Sequence, residues 1–214
     1  MTEPENFGET LTAVTAVTAV TAANPDPDPR PGLVQAVGLA GRTVAAVRAD
    51  QLDGPTPCTD YTVRQLSNHL IAILRRVAVI GRGGDPLSVP AIADDVADGD
   101  RVREWAAAAR DVEAVWSDPA ILRRPLCLPF GTLPGAAAAV VYITEFTLHT
   151  WDLATATGQH PSWDPGVLAV SLTAMRRAVP AEPRGGQVPF AAVVDVAADA
   201  PDIDRLVAWY GRKS

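Results

Sequence analysis

The segment "PGAAAAVVYITEFTLHTWDLATATG", residues 134–158, decides the fold because it is long, apolar and bounded by helix signals. Proline is tolerated in the first turn of a helix, where its missing N–H is not needed. Gly158 can adopt the left-handed conformation that ends a helix. The sequence therefore predicts a helix from about Pro134 to Thr157.

Polar residues of this helix recur at steps of three and four, which places them on one face. They are Tyr142, Glu145, His149 and Asp152. An intrahelical Glu–His pair at the surface explains the spacing of Glu145 and His149. A metal site is the alternative explanation.

Further helices are predicted on both sides of this one. The chain predicts a mainly α protein with four long helices, because apolar residues recur with helical periodicity in each segment. Thr62 and Gln65 form the pattern of a capping box at the start of the second helix. The four long helices run from Pro31, from Thr62 to about Ile80, over 100–116 and from about Pro134 to Thr157, and a fifth helix runs from Asp164 to about Arg177.

The remaining predictions concern the segments between the helices and the apolar faces of the first and third helices. Residues 121–135 should form an extended connection, and residues 188–214 a short strand followed by a helix that ends at Gly211. Gly38 and Gly41 of the first helix should let a neighbour approach closely. The apolar residues assigned to the first helix are Leu33, Val34, Val37, Val44 and Val47, and those of the third are Val102, Trp105, Ala109, Val112 and Trp116.

Composition limits the classes of function. The chain has 214 residues and a formal net charge of −7 without a Lys/Arg-rich run, which argues against nucleic-acid binding. No apolar run reaches the roughly 20 residues of a membrane helix, and the start lacks a basic signal region, so we expect a cytoplasmic protein without membrane partners. Residues 1–30, with Thr-Ala-Val repeats and Asp-Pro runs, are expected to be disordered, and residues 31–214 to form one domain.

Histidine placement is the main functional signal. His69 shares a face of the second helix with Leu66, Ile73, Val77 and Ile80, so it should point inward. Alone, it suggests a buried histidine bonded to a neighbour. An inward carboxylate beside two inward imidazoles is costly unless a divalent cation neutralises it.

His69, Glu145 and His149 are therefore the candidate metal ligands, supplied by two helices. Two histidines and one carboxylate match catalytic zinc sites that leave a position open. The same set matches the facial triad of non-haem iron, so the residue types leave the metal open.

Three segments resemble the mycothiol-dependent maleylpyruvate isomerase superfamily, within the DinB-like four-helix metalloproteins. They are "TPCTDYTVRQLSNHL" (56–70), "PFGTLPGAAAA" (129–139) and "EFTLHTWDLATATGQ" (145–159), and the resemblance extends from about Asp28 to the C-terminus. It implies a DinB-like four-helix bundle with a short C-terminal strand and helix. It also implies that His69, Glu145 and His149 bind a divalent metal, usually Zn²⁺, and that mycothiol is the thiol cosubstrate.

The resemblance further implies a reaction in which a metal-activated thiolate adds to a small electrophile. Elimination after bond rotation gives cis–trans isomerisation, whereas addition alone gives S-transfer. The alternatives are a non-catalytic metal-binding bundle in stress response and a non-haem iron enzyme with the same ligands. The electrophile and the oligomeric state are left open.

Other residues receive smaller roles. Asp152 and Asn68 are candidates for the hydrogen bonds that orient ligating histidines. Trp151 lies off the ligand face and should pack. Cys58 and Cys127 are expected to be free of disulfides, and Cys58, just ahead of the second helix, either is a small buried residue or has a lowered pKa from that helix N-terminus. His160 is expected at the surface.

Overall fold

Six α-helices and a β-hairpin make up the part of the chain that a computed structural model describes, residues 28–185 and 190–213. The helices are α1 Arg30–Ala45, α2 Val63–Gly81, α3 Arg101–Trp116, α4 Gly135–Thr157, α5 Pro165–Ala178 and α6 Asp202–Trp209, and the strands are β1 Pro125–Leu128 and β2 Gly131–Pro134. The predicted class, a mainly α bundle with a C-terminal extension, is confirmed.

Four helices, α1 to α4, enclose the main core. α4 packs against α1 and α2, and α3 packs against α2 and α1. Trp105 of α3 lies so close to Gly41 that a Cβ there would be 2.3 Å from the indole nitrogen. The close approach predicted at Gly41 is thus confirmed, whereas the neighbour of Gly38 is the side chain of Arg42 from the same helix.

The capping box predicted at the start of α2 is present. The backbone N–H of Gln65 donates to Thr62 Oγ1 at 3.3 Å, and the N–H of Thr62 donates to Gln65 Oε1 at 3.0 Å. These bonds satisfy two amides that no earlier turn can reach. The box therefore fixes where α2 begins, six residues before His69.

Both ends of α4 match the predicted signals to within one residue. It begins directly after β2, and Gly158 ends it with φ +68°, in the left-handed region. The next amide, of Gln159, donates back to the carbonyl of Ala154 at 2.9 Å. Most residues of α4 are buried, because α1, α2 and α5 pack around it.

The connection before α4 is more regular than predicted. It contains a 3₁₀ helix at Pro119–Arg123 and then the antiparallel hairpin, in which Leu126 pairs with Leu133. Leu126, Leu128 and Leu133 are buried. The pairing was missed because three prolines mask the alternation of buried and exposed residues.

Two residues assigned to apolar stripes are exposed, so those assignments were wrong. Val34 and Val102 are 62% and 57% exposed. The buried residues of α3 are Arg101, Trp105, Ala108, Val112 and Trp116. Val102 lies about 100° around the helix from Arg101 and faces solvent.

The C-terminal extension forms a second apolar cluster. α5 and α6 pack residues such as Leu172 and Leu206 against Leu148 and Trp151 of α4. The predicted terminal helix is present, whereas residues 190–197 form no strand. Their amides are not paired with a neighbouring strand; instead, the amide of Val194 donates to the carbonyl of Ala208.

The ends of the chain are described only in part. The expectation of disorder over residues 1–30 falls mainly on residues 1–27, outside the described part, and α1 already begins at Arg30. The guanidinium of Arg30 donates to the carbonyl of Ser117 at 2.6 Å, which ties the start of α1 to the end of α3. No helix in the described ranges is long and apolar enough to cross a membrane.

Candidate metal site

Three predicted ligands converge between α2 and α4. Glu145 Oε1 lies 4.0 Å from His69 Nε2 and 3.5 Å from His149 Nε2. The ligand atoms of His69, Glu145 and His149 all lie within 4.8 Å of one another. A tetrahedral ion with bonds of about 2.0–2.1 Å needs ligand atoms about 3.3 Å apart, so an approach of at most about 1.5 Å would complete the set.

His69 is buried on the inner face of α2, as its helical position predicts. Its ring stacks on that of Tyr61, with centroids 4.8 Å apart and planes at 28°. The ring of His149 meets it edge-on at 5.1 Å. These contacts leave Nε2 of His69 facing the carboxylate of Glu145.

The loop after α2 fixes the other nitrogen of His69. Nδ1 lies 2.6 Å from the carbonyl oxygen of Ala91, which can only accept, so Nδ1 carries the proton and Nε2 is free to be a ligand. The buried guanidinium of Arg76 holds this loop through the carbonyls of Pro86, Val89 and Pro90, at 2.9 to 3.2 Å. Arg76 therefore positions the group that orients His69.

A hydrogen-bonded relay, formed by Asp152 and Arg212, orients the ring of His149 in the same way. Its Nδ1 lies 3.1 Å from Asp152 Oδ2. Arg212, which follows α6, donates to both oxygens of that carboxylate, at 3.0 and 3.1 Å. Asp152 is 0% exposed, and paired hydrogen bonds of this kind hold a carboxylate in one orientation. His149 thus presents Nε2 to Glu145.

The three ligands differ in their pKa values before any cation binds. Burial, and then the charge of His149, lower the pKa of His69 to about 4. Burial also disfavours charge on His149, but hydrogen bonds to Asp152 and Glu145 outweigh it and raise its pKa to about 9. Burial opposes ionisation of Glu145, yet the hydrogen bond and charge of His149 lower its pKa to about 2. At neutral pH these pKa values make His149 the cationic ring, His69 a neutral ring and Glu145 a carboxylate.

The donor set fits a divalent cation of the zinc class. Two imidazole nitrogens and one carboxylate oxygen are the usual ligands, and both histidines have their second nitrogen engaged. The side chain of Glu145 is 37% exposed, so the cluster opens to solvent on that side. A cation held here would keep a coordination position for another molecule.

Three other residues singled out in the sequence lie away from the ligand atoms. The amide nitrogen of Asn68 donates to the carbonyl of Val96 at 3.4 Å, and its buried Oδ1 has no partner among the described residues. Asn68 therefore holds the loop, and the carbonyl of Ala91 takes the place that we predicted for it. Trp151 packs in the second cluster, and His160 is exposed.

Cys58 is partly buried beside the relay. Its thiol lies within 4.8 Å of ligand atoms of His149 and Asp152. Burial, and then the negative charge of Asp152, raise the pKa of this thiol to about 11. Of the two alternatives for Cys58, the structure therefore favours the small buried residue and not the thiol with a lowered pKa. Cys58 and Cys127 are both free.

Sequence reasoning missed two arginines. Arg76 lies seven residues after His69, a spacing that returns to the same helix face, so its position in an apolar stripe was a usable signal. Arg212 lies 60 residues from Asp152 and has no local signal. Only the packing of the C-terminal extension brings it to the site.

Comparison with known proteins identifies the family. Residues 33–154 match the model of the mycothiol maleylpyruvate isomerase N-terminal domain, a range that includes all three candidate ligands. The chain belongs to this family. It is 35% identical over 170 residues to uncharacterised proteins of two strains of Mycobacterium tuberculosis, covering 79% of this chain and 89% of each relative. No solved structure matches the chain.

Proposed function

We propose that the protein is a metal-dependent enzyme that uses a low-molecular-weight thiol, mycothiol, for S-transfer or thiol-assisted isomerisation of small electrophiles. The observation that carries the proposal is the convergence of His69 Nε2, Glu145 Oε1 and His149 Nε2, with both Nδ1 atoms held by other groups. Zn²⁺ is the proposed cation, since three such ligands with an open position are typical of catalytic zinc.

The roles of the residues follow from their contacts. His69, Glu145 and His149 would hold the cation, whose chemical contribution is to favour the thiolate form of a thiol that reaches it. Asp152 and Arg212 hold the ring of His149, and the loop tied by Arg76 holds His69. The exposed edge of Glu145 is where a thiol and an electrophile would approach.

The family supports the choice of thiol. The matched domain is named for mycothiol and maleylpyruvate isomerase, so mycothiol is the first cosubstrate to test. Addition of its sulfur to an electrophilic carbon of a conjugated double bond forms a C–S bond and moves the electron pair of that double bond into an enolate. Rotation about the resulting single bond and expulsion of the thiolate re-form the double bond and complete an isomerisation, whereas protonation of the enolate carbon with the C–S bond retained completes a transfer.

One observation favours a second candidate function, a metal-binding protein without catalysis. Two cavities in the described part of the chain, of about 440 and 230 Å³, are lined by none of the three ligands. A non-haem iron enzyme is a third candidate because it uses the same ligand types. Elemental analysis separates zinc from iron, and a turnover assay separates enzyme from binding protein.

The test compares His149→Ala with the wild type and with His160→Ala, which changes an exposed histidine. We expect one equivalent of metal in the wild type and in His160→Ala, and none in His149→Ala, because two ligands hold a divalent ion poorly against water. Metal content is measured by elemental analysis. Thiol consumption with mycothiol and maleylpyruvate or an aryl halide should follow the metal.

Each outcome has a separate meaning. A His149→Ala protein with full metal content removes His149 from the ligand set. A protein that loses metal and still consumes thiol at the wild-type rate contradicts a catalytic cation. Metal-loaded wild type with no thiol consumption supports the non-catalytic alternative.

A further inference from the structure

A cavity of about 440 Å³ lies on the side of α4 opposite the metal ligands. Thr147 and Thr150 of α4 contribute to its lining, and they lie about 100–160° around the helix from Glu145, His149 and Asp152. α1 and the segment from Ser162 to Val167 form the other walls. The volume is in the range of sites for small molecules, which is about 300–1,000 Å³.

Thr150 leaves a hydrogen-bonding group unused at this cavity. Three other buried threonines of α4 donate to the carbonyl four residues earlier, at 2.7 to 2.9 Å. They are Thr144, Thr147 and Thr157. The hydroxyl of Thr150, a residue only 1% exposed, has no partner among the described residues. Such a group is costly unless a ligand or water satisfies it.

Arg42 supplies a cation at the rim. It lines this cavity and an adjoining one of about 230 Å³, and its guanidinium lies 3.5 Å from where a Cβ of Gly38 would be. Within the described part of the chain, no carboxylate pairs with Arg42, although most arginines of α2 and α3 have acidic partners. The charge is therefore available to an anionic ligand.

The other residues that line the cavity favour a ligand that has one negative charge and is otherwise apolar. Trp163 offers an aromatic face, and Val34, Leu39 and Val167 offer aliphatic surface. Asp164 also lines the cavity, where its Oδ1 accepts from the amide of Val167 and caps α5. A second carboxylate near Asp164 would be repelled.

We propose that this cavity is a binding site for a small aromatic monocarboxylate, distinct from the metal ligands. The carboxylate pairs with Arg42, the ring packs against Trp163 and the aliphatic wall, and a polar edge meets the Thr150 hydroxyl. The site goes beyond the proposed thiol chemistry because it shares no residue with the metal cluster and uses the opposite face of α4.

The test uses 2-naphthoate as the probe and 2-naphthamide as its neutral counterpart, with binding to the full chain measured by isothermal titration calorimetry. We expect one naphthoate site per chain. Arg42→Gln should weaken it about fivefold, as expected for the loss of one partly exposed ion pair. Thr150→Val should weaken it by a similar factor and, by removing an unsatisfied hydroxyl, should not lower stability.

Arg110→Gln is the matched control, because Arg110 is exposed on α3 and lines neither cavity. It should bind naphthoate like the wild type. Naphthamide should bind more weakly than naphthoate and should not respond to Arg42→Gln. The proposal is overturned if millimolar naphthoate shows no saturable binding, if Arg42→Gln binds it unchanged, or if the amide binds as tightly as the acid.

Discussion

Asp152 is a fully buried carboxylate that serves two partners, the ring of His149 and the guanidinium of Arg212. Burial alone would raise its pKa, but the hydrogen bonds from His149 and Arg212 hold the pKa below its usual value. The group therefore stays ionised at neutral pH. Its orientation decides which nitrogen of His149 faces Glu145.

Asp152→Asn should weaken metal binding by about 10–100-fold, the usual cost of losing a carboxylate behind a ligating histidine. The amide keeps the shape but removes the charge, and it leaves Arg212 unpaired. Metal affinity is measured by competition with a chelating dye. Asp50→Asn, which changes an exposed carboxylate paired with Arg48, is the control. Equal affinities in the two variants would exclude Asp152 from this role.

The raised pKa of His149 predicts a pH dependence of stability in the metal-free protein. A histidine whose pKa rises on folding from 6.5 to about 9 stabilises the fold fully below pH 6.5 and loses that contribution as pH rises through 9. The loss should be about 3 kcal/mol, at 1.36 kcal/mol for each unit of pKa change. Denaturant titrations at pH 6, 7.5 and 9.5 measure it.

His149→Gln should remove most of this dependence, whereas His160→Gln should keep it. Metal binding should show the opposite trend and strengthen with pH up to about 9, because the cation must displace the proton on His149. A wild-type protein whose stability is flat between pH 6 and 9.5 would contradict the assigned protonation state.

Among the elements, α2 and α4 were predictable and the segments around them were not. Thr62, Gln65 and Gly158 are local signals, and the three and four residue spacing places His69, Glu145 and His149 on inner faces. The residues that orient the ligands come from a loop and from the chain beyond α6. Every residue has a backbone carbonyl, so the sequence does not show that the carbonyl of Ala91 is the one that accepts a hydrogen bond from His69.

The capping box of α2 should matter to the whole fold because α2 carries His69 and packs on the three helices α1, α3 and α4. Thr62→Ala should cost about 1 kcal/mol, the typical value for an N-cap, and should lower the Tm by about 2–4 °C. Differential scanning calorimetry measures the shift. Thr59→Ala, an exposed threonine three residues earlier, should not change the Tm. Equal melting of both variants with the wild type would show that the box is dispensable.

At the scale of the molecule, the C-terminal extension packs directly on α4. The family model ends at Ala154, yet the second apolar cluster joins Leu148 and Trp151 to Leu206 and Val207 of α6, and Arg212 reaches back to Asp152. The sequence predicted the terminal helix from its own periodicity. It did not predict this docking, because nothing local specifies which distant surface an amphipathic helix covers.

A chain that ends at Ala200 should therefore lose both stability and metal affinity. It would expose the apolar surface that α6 covers, worth several kcal/mol, and would leave Asp152 without Arg212. Arg212→Gln in the full chain is the matched variant: we expect it to lose metal affinity but to keep most of the Tm. A truncated protein with wild-type Tm and metal content would show that the extension is independent of the site.

The burial of α4 on nearly every side has a consequence for motion. Its amide protons are screened by the main core, by the second cluster and by α1, so they should exchange with solvent only when the molecule unfolds as a whole. Local opening is then left to the loop that carries Ala91 and to the segment that carries Arg212. These two segments orient the two histidines. Local opening of the two segments, and not motion of α4, therefore sets how often the histidines leave their ligand orientation.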